Sequence, residues 1–208
     1  GLWVTNQIVT TGVITGDVDN DGFRDVMVLT HTGFACLLFR NNGNGTFTNM
    51  ASFAGIDNLV AQSYTAAFGD VNLDGYLDIY VLKSGLDGNF NTMEFNRFGA
   101  NMLFINQGDN TFKEVAKAYG LAGNEHSMQA TFFDYDRDGD LDAYIGNYPP
   151  SGFTQKNTFF AQKMKNPSLA ESDKLYRNDG GHFTDITKTA GILNYGLTLG
   201  LSIADFNN

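Results

Sequence analysis

Short apolar or alternating runs, bounded by Gly, Asn and Asp, follow one another along the whole chain. In the second of three similar segments they cover residues 65–68, 77–82, 101–105 and 111–115. Runs of this length between turn residues are typical of β-strands. The pattern therefore predicts four short strands in each segment and an all-β fold.

A hairpin motif recurs near the end of each segment. It reads Leu-(Phe/Tyr)-x-Asn-x-Gly and is followed by Phe, then by a short tail with Gly and Ile or Leu. The motif asparagines are Asn41, Asn106 and Asn178. Because Asn and Gly favour the backbone of tight turns, the motif predicts that the third and fourth strands of each segment pair as a hairpin.

A nine-residue acidic loop joins the first two predicted strands. Acidic residues stand at positions 1, 3, 5 and 9 with Gly at position 6, and the fullest copy is residues 134–142. Calcium takes about six to eight oxygen ligands at about 2.3–2.6 Å, so carboxylates that alternate along a tight loop suit this ion. Gly139 permits the turn, and the carbonyl of Asp140 at position 7 adds an oxygen. A helix–loop–helix calcium site would instead close with Glu at position 12.

The acidic loop is present three times and begins a fourth time. The first copy is residues 17–25, the second is residues 70–78 with a neutral Asn72 at position 3, and the fourth begins at Asp205. Self-similarity at a regular spacing indicates a repeat protein. We interpret the chain as one segment of repeats, at approximately residues 1–53, 54–118 and 119–189, with a fourth repeat started at residues 190–208.

Four antiparallel strands in each repeat match one blade of a β-propeller, which needs about four to eight blades to close. The predicted fold class is therefore all-β, with about three blades of a partial propeller. Repeated β-sandwich modules are an alternative, although these repeats are short for that fold. Three blades leave sheet faces and edges exposed. We therefore expect the remaining blades of a longer protein, or another chain, to complete the structure.

The connection between the second and third strands varies most in length, and it carries other candidate binding residues. In a four-stranded meander this connection lies on the face opposite the acidic loops. Aromatic and basic side chains there suit a protein or glycan ligand, whereas the alternative is that the aromatic rings cover the blade ends. The candidates are Phe90, Glu94, Phe95, Arg97, Phe98, Tyr148, Phe153, Lys156, Phe159, Phe160, Lys163 and Lys165.

The composition adds a strong acidic bias. The net charge is −10, and the three complete loops hold four, three and five of the 23 acidic residues. This clustering favours metal binding and argues against nucleic acid as a partner. Cys36, the only cysteine, lies in an apolar run and is predicted to be a buried core thiol. No apolar stretch is long enough for a membrane span, and no signal peptide is visible at Gly1.

Catalysis has little support in the sequence. His31, His126 and His182 lie outside any recognisable nucleophile or metalloprotease motif, and each is predicted to be a surface residue. A carboxylate pair of the glycosidase type is an alternative use for the aspartates, but their spacing suits a cation better. We therefore predict no catalytic residue, no cofactor-binding residue other than metal ligands, and no enzyme activity.

The acidic loops, the hairpins and the Gly-containing tails together resemble FG-GAP/VCBS repeats over essentially the whole chain. They are most similar to the ASPIC/UnbV type, and similar in plan to the integrin α-subunit propeller. The resemblance implies a calcium-bearing, seven-bladed β-propeller that is secreted or at the cell surface, including a bacterial outer surface or periplasm. It also implies adhesion or ligand binding without chemistry of its own. The family's Phe-Gly signature is poorly preserved, and the isolated Phe68-Gly69 and Phe98-Gly99 dipeptides carry little weight.

Carried over by motif position, the resemblance implies about three Ca²⁺ ions, one in each complete loop. The implied side-chain ligands are Asp17, Asp19, Asp21, Asp25, Asp70, Asn72, Asp74, Asp78, Asp134, Asp136, Asp138 and Asp142. The backbone carbonyls of Phe23, Tyr76 and Asp140 would join them. Asn72 removes one charge from the second loop and so weakens that site. Two other functions fit the sequence: part of a secreted polysaccharide-active enzyme, and a self-assembling structural surface protein.

Overall fold

The chain forms three four-stranded antiparallel sheets. The computed structural model describes residues 10–30, 34–57, 63–83, 99–147, 172–196 and 198–205, with Thr158, Ala161, Gln162, Lys165 and Leu169 between them. Blade 1 contains β1 (Thr10–Gly16), β2 (Asp25–Thr30), β3 (Leu37–Asn41) and β4 (Phe47–Asn49). Blade 2 contains β5 (Ser63–Gly69), β6 (Asp78–Lys83), β7 (Met102–Asn106) and β8 (Phe112–Glu114). Blade 3 contains β9 (Ser127–Phe133), β10 (Asp142–Asn147), β11 (Lys174–Asn178) and β12 (Phe183–Asp185).

Each blade is a meander in which strands that follow one another in sequence pair side by side. The prediction of an all-β fold with four antiparallel strands in each repeat is confirmed, and the second-repeat strands differ from the predicted ranges by one or two residues. The repeat boundaries themselves stay a prediction. The insertion candidates in residues 84–98 and 148–157, with Phe159, Phe160 and Lys163, lie outside the described residues.

A short helix, α1 (Ala116–Tyr119), follows β8 where no helix was predicted. It makes one turn, too short to produce an apolar period of its own. Gly120 ends it with φ of 83°, and its N–H donates to the carbonyl of Ala116. Left-handed glycine is the common end of a helix, which explains the Gly of the recurring tail. In the part of the chain that is described, no helix is both long and apolar enough to cross a bilayer.

The hydrophobic core lies between neighbouring blades. One cluster joins blades 1 and 2, and a second joins blades 2 and 3. Strand β6 contributes to both, because Ile79 and Val81 face the first cluster while Tyr80 and Leu82 face the second. Successive side chains of a strand point to opposite faces. Blade 2 is therefore covered on both sides, which explains why β6 reads as a continuous apolar run.

The first strands of the three blades lie next to one another, β1 against β5 and β5 against β9. A Cβ added to Gly16 would lie 2.9 Å from the Phe68 ring, and one added to Gly69 would lie 2.7 Å from the Phe132 ring. A glycine at the end of one first strand therefore makes room for the phenylalanine of the next blade. The Phe68-Gly69 dipeptide thus has a packing role that sequence interpretation undervalued.

The hairpin asparagines of blades 2 and 3 tie each of these blades to the acidic loop of the blade before it. The Asn106 Nδ2 atom donates to the Val18 carbonyl at 2.8 Å, and the Asn178 Nδ2 atom donates to the Val71 carbonyl at 3.1 Å. Both amides also donate to the carbonyl at position 8 of the loop in their own blade. The acidic loop and the hairpin turn therefore lie at the same end of each blade, as meander topology predicts.

A second polar contact recurs at the opposite end of the blades. The residue two before the central Leu of each third strand is buried. In blades 1 and 2 it reaches a hydroxyl at the start of the next blade, and in blade 3 it reaches the hydroxyl of Thr198. The pairs are Cys36 Sγ with Ser63 Oγ at 3.9 Å, Asn101 Nδ2 with Ser127 Oγ at 2.9 Å, and Thr198 Oγ1 with Asp173 Oδ2 at 2.8 Å. The prediction that Cys36 is a buried thiol is confirmed.

The prediction that His126 lies at the surface is wrong. His126 comes just before β9, the first strand of blade 3, and is only 6% exposed. Its ring meets the Tyr64 ring edge-on, with 5.5 Å between the ring centroids. The local Asn-Glu-His-Ser sequence looks like a turn, but packing between blades 2 and 3 buries it. Desolvation lowers the pKa of His126 to about 4. His182 is exposed as predicted, and His31 lies outside the described residues.

Replacement of Asn178 by Ala tests the contact between blades. The Val71 and Leu141 carbonyls would lose their side-chain donor inside the junction, so we expect the free energy of unfolding to fall by about 2–4 kcal/mol in urea denaturation. Asn41→Ala is the matched control. Among the described contacts, its Nδ2 donates only within its own blade, to Arg24, so we expect a smaller loss. Equal losses in the two variants would contradict the cross-blade role.

The buried histidine predicts a loss of stability in acid. The unfolded chain takes up a proton near the ordinary histidine pKa of about 6.5, whereas folded His126 stays neutral down to a pKa of about 4. Its contribution to stability is therefore lost as pH falls from about 6.5 to 4, by about 2 kcal/mol at pH 5 relative to pH 7. Urea denaturation at both pH values should show this loss in the wild type and a smaller one in His126→Gln. The same pH dependence in both proteins would disprove the role of His126 in this loss of stability.

Candidate metal centres

The three acidic loops share one backbone conformation. Position 4 is left-handed in each, with φ of 57° at Asn20, 58° at Leu73 and 65° at Arg137. Position 6 is a glycine with φ between 89° and 96°. A Cβ added to Gly139 would meet no atom within 4 Å, so the glycine is required by its dihedral angle and not by crowding.

The aspartate at position 1 holds the turn of each loop. Asp17 accepts the N–H groups of Asp21 at 3.1 Å and Gly22 at 2.9 Å, one on each carboxylate oxygen. Asp70 accepts the equivalent pair in the second loop. Asp134 accepts N–H groups from Arg137 and Gly139. This carboxylate therefore satisfies backbone donors that an irregular loop would otherwise leave unpaired.

The closing aspartates at position 9 are buried and link the loop to the hairpin. One oxygen accepts the N–H at position 2 of the loop, and the other accepts the N–H of the hairpin asparagine, at 2.8–3.0 Å. These bonds are made by Asp25, Asp78 and Asp142. Burial raises the pKa of all three, to about 7 for Asp78. The closing aspartates thus have a structural use of their own, and their role as metal ligands stays a prediction.

Positions 1, 3 and 5 bring side-chain oxygens together. One oxygen from each of Asp17, Asp19 and Asp21 lies within 4.8 Å of the others, and the same holds for Asp134, Asp136 and Asp138. In the second loop the Asn72 Nδ2 atom donates to Asp74 Oδ2 at 2.8 Å, where the other loops have an Asp–Asp pair. Several carboxylate oxygens that converge in this way suit a hard cation such as calcium. The donor set of the first and third loops therefore fits this ion.

Position 7 contacts the hairpin turn. A Cβ added to Gly43 would lie 2.7 Å from the Phe23 ring, and one added to Gly108 would lie 3.2 Å from the Tyr76 ring. In the third loop, Asp140 Oδ2 instead accepts the Gly180 N–H at 2.8 Å. These side chains dock each loop on its hairpin. The ligand role of the backbone carbonyls of Phe23, Tyr76 and Asp140 stays a prediction, as does the fourth loop, of which only Asp205 is described.

Sequence interpretation missed one charged group at the first loop. Arg40, at the end of β3, donates from Nε to Asp19 Oδ2 at 2.5 Å and from Nη2 to Asp21 Oδ2 at 3.2 Å. The signal was present in the sequence, because the residue before the hairpin asparagine is Arg40 in blade 1, Ile105 in blade 2 and Arg177 in blade 3. A guanidinium thus neutralises part of the first loop.

Comparison with known proteins identifies a repeat family. The family model described as FG-GAP-like repeat matches residues 17–81 and 88–145, which is more than half of the chain. The first match begins at the first residue of an acidic loop. The sequence-based recognition of FG-GAP repeats is therefore confirmed.

Two curated relatives cover almost the whole chain. Cartilage acidic protein 1 of Xenopus tropicalis is 26% identical over an alignment of 207 positions, which covers 93% of this chain and 29% of the relative. Cartilage acidic protein 1 of Mus musculus is 27% identical over an alignment of 213 positions, which covers 97% of this chain and 30% of the relative. The chain thus spans less than a third of the length of these relatives.

A solved structure also resembles the chain. It comes from a study of how an Agrocybe aegerita lectin specifically recognises non-reducing terminal N-acetylglucosamine. The likeness covers 83% of this chain and 36% of that protein, with 16% sequence identity and a TM-score of 0.42.

Replacement of Leu73 by Asn should stabilise the second loop. A leucine in the left-handed region is strained by about 1 kcal/mol, and Leu73 is 57% exposed, so little apolar burial is lost. The equivalent Asn20 also donates to the Gly75 carbonyl of the next loop at 2.9 Å. We expect the free energy of unfolding to rise by about 0.5–1 kcal/mol in urea denaturation. Leu73→Ala keeps the strained Cβ and should give no such gain; an equal gain would refute the explanation.

Proposed function

The chain belongs to the FG-GAP-like repeat family, and on this premise we propose that it is a calcium-stabilised, non-catalytic β-propeller segment of an extracellular protein. One observation carries the proposal: carboxylate oxygens at positions 1, 3 and 5 converge within 4.8 Å in both the first and the third loop. Hydrogen bonds alone would not favour such a grouping of like charges, because each carboxylate repels the next. A divalent cation would offset this repulsion.

Each complete loop would hold one Ca²⁺. The ligands proposed are the side chains at positions 1, 3, 5 and 9 and the carbonyl at position 7, as given above for residues 17–25, 70–78 and 134–142. The ion would supply positive charge that joins the two ends of the loop. The chain's own residues then extend this support to the next blade, because the Val18 and Val71 carbonyls at position 2 accept the amides of Asn106 and Asn178. Calcium would thus stabilise the blade junctions as well as the loops.

An extracellular location accords with this use of calcium. Modules of this kind outside the cell bind the ion at about 10⁻⁴–10⁻³ M, which is far above the level inside cells. The two curated relatives are both cartilage acidic protein 1, and this name is consistent with such a location. We propose that the protein is secreted or held at a cell surface, where the ion is always present.

The proposed partners are further blades and a protein or glycan ligand. Residues 198–205 lie against blade 3, where Thr198 contacts Asp173 and the Leu201 N–H donates to Gln129 Oε1 at 3.1 Å. We propose that this segment begins a fourth blade. Leu199 and Ile203 on this segment remain exposed. Further blades or another chain would cover them. The ligand would bind the face opposite the acidic loops, which carries the variable insertions. We propose that this binding serves adhesion.

The two other functions have distinct signatures. A polysaccharide-active enzyme would turn over a substrate in a glycan screen, and a self-assembling surface protein would show a large oligomer in solution. Among the described histidines, His126 is buried against Tyr64, a position that does not suit a general base in a cleft. We favour the binding module because the carboxylate oxygens of the first and third loops converge on one another, an arrangement that suits a cation better than a substrate cleft.

Calcium should raise the melting temperature. With dissociation constants of about 10⁻⁴ M, about 10 mM calcium stabilises the folded chain by about 2.7 kcal/mol for each loop. We expect the midpoint to rise by about 5 °C or more relative to a chelator. Asp138→Asn in the third loop should reduce the rise, whereas Asp57→Asn, with the same change of charge outside the loops, should not. Equal midpoints with calcium and chelator would remove the proposed role of the ion.

A further inference from the structure

Arg40 occupies the carboxylate oxygens of the first loop that the backbone leaves available. Asp19 Oδ1 and Asp21 Oδ1 accept N–H groups of the loop itself, at 3.3 and 2.9 Å. The Oδ2 atoms of the same two residues accept Arg40 at 2.5 and 3.2 Å. These side chains at positions 3 and 5 are the ones that would otherwise bind an ion. The first loop therefore already has a cation of its own.

The equivalent arginine of blade 3 is held elsewhere. Arg177 donates to Asp179 from Nε at 3.2 Å and from Nη2 at 2.9 Å. Asp179 follows the hairpin asparagine, and the residue at the same place in blade 1 is the neutral Asn42, whose amide donates to Thr46. The hairpin of blade 3 thus offers its arginine a carboxylate that the hairpin of blade 1 lacks.

The third loop keeps its outer carboxylates available as a result. Within the described residues, Asp136 takes part in no hydrogen bond or ion pair, and Asp138 accepts only the Asp140 N–H, on Oδ1. In the second loop the place of the arginine is taken by the apolar Ile105. There the Asn72 amide occupies Asp74 Oδ2, so that loop lacks one carboxylate but has no competing cation.

We propose that Arg40 is a built-in competitor for calcium, so that the first loop keeps its fold without the ion and binds it more weakly than the third loop. This inference presupposes the calcium function proposed above. To bind both carboxylate oxygens of Asp19 and Asp21, the ion must displace the guanidinium of Arg40. If the guanidinium stays in place, its positive charge repels the ion. Because Arg40 is partly exposed, the competition is moderate, about three- to tenfold in the dissociation constant.

The experiment measures calcium affinity one loop at a time. Asp74→Asn with Asp138→Asn leaves the first loop as the main site, and Asp21→Asn with Asp74→Asn leaves the third. Isothermal titration with calcium should then show about three- to tenfold tighter binding when Arg40→Gln is added to the first background. Arg177→Gln in the second background is the matched control, and it should change the affinity by less than about twofold.

Melting in a chelator supplies a second measurement that does not depend on binding. Arg40→Gln removes the internal cation, so it should lower the calcium-free midpoint by about 1–3 °C. The two effects have opposite signs, tighter binding with lower calcium-free stability. If Arg40 only oriented the carboxylates for the ion, the variant would instead bind calcium more weakly. That outcome, or an unchanged affinity, would overturn the inference.

A double-mutant cycle at the hairpin tests whether Asp179 holds Arg177 away from the third loop. Asp179→Asn should release Arg177 toward the third loop and weaken its calcium binding. The same substitution in the Arg177→Gln background should have a smaller effect, since only the loss of one negative charge remains. Equal effects in both backgrounds would contradict control by the hairpin residue. A different result would refute the proposed function itself. This result is absence of calcium binding by the first-loop background that carries Arg40→Gln or by the third-loop background that carries Arg177→Gln.

Discussion

The structure depends on the side-chain amide of the hairpin asparagine. Each acidic loop is irregular, so its carbonyl groups have no strand partner, and a buried carbonyl without a donor is costly. Asn106 supplies a donor to its own loop and to the loop of the preceding blade, while its Oδ1 accepts the Gly108 N–H. Asn178 repeats the arrangement in blade 3. Local turn formation and packing between blades are thus achieved by the same residue.

The aspartates of each loop divide into two physical roles. Those at positions 1 and 9 accept backbone N–H groups, so that position 1 holds the turn of the loop and position 9 links the loop to the hairpin. Those at positions 3 and 5 keep oxygens that face outward, where they meet a guanidinium in the first loop and an amide in the second. Loops with similar sequences therefore differ in their electrostatics, because Arg40 on the hairpin strand contacts the first loop and Asn72 replaces an aspartate within the second.

Local sequence predicted what local interactions determine. The strands, the hairpins and the acidic loops were found from alternation, turn residues and spacing, since each depends on a few adjacent residues. The burial of His126, the fit of Phe68 and the pairing of Arg40 with the first acidic loop were not, because they depend on side chains far away in sequence. Helix α1 is too short to leave a periodic pattern.

The buried position shared by Cys36, Asn101 and Asp173 has one more consequence. The blade junction accepts a thiol, an amide or a carboxylate there, provided that the side chain reaches the hydroxyl of the next blade. Cys36 is completely buried in the cluster that joins blades 1 and 2, and it is the only cysteine of the sequence. A thiol reagent can reach it only when blades 1 and 2 separate. Its alkylation rate therefore measures how often the junction between blades 1 and 2 opens.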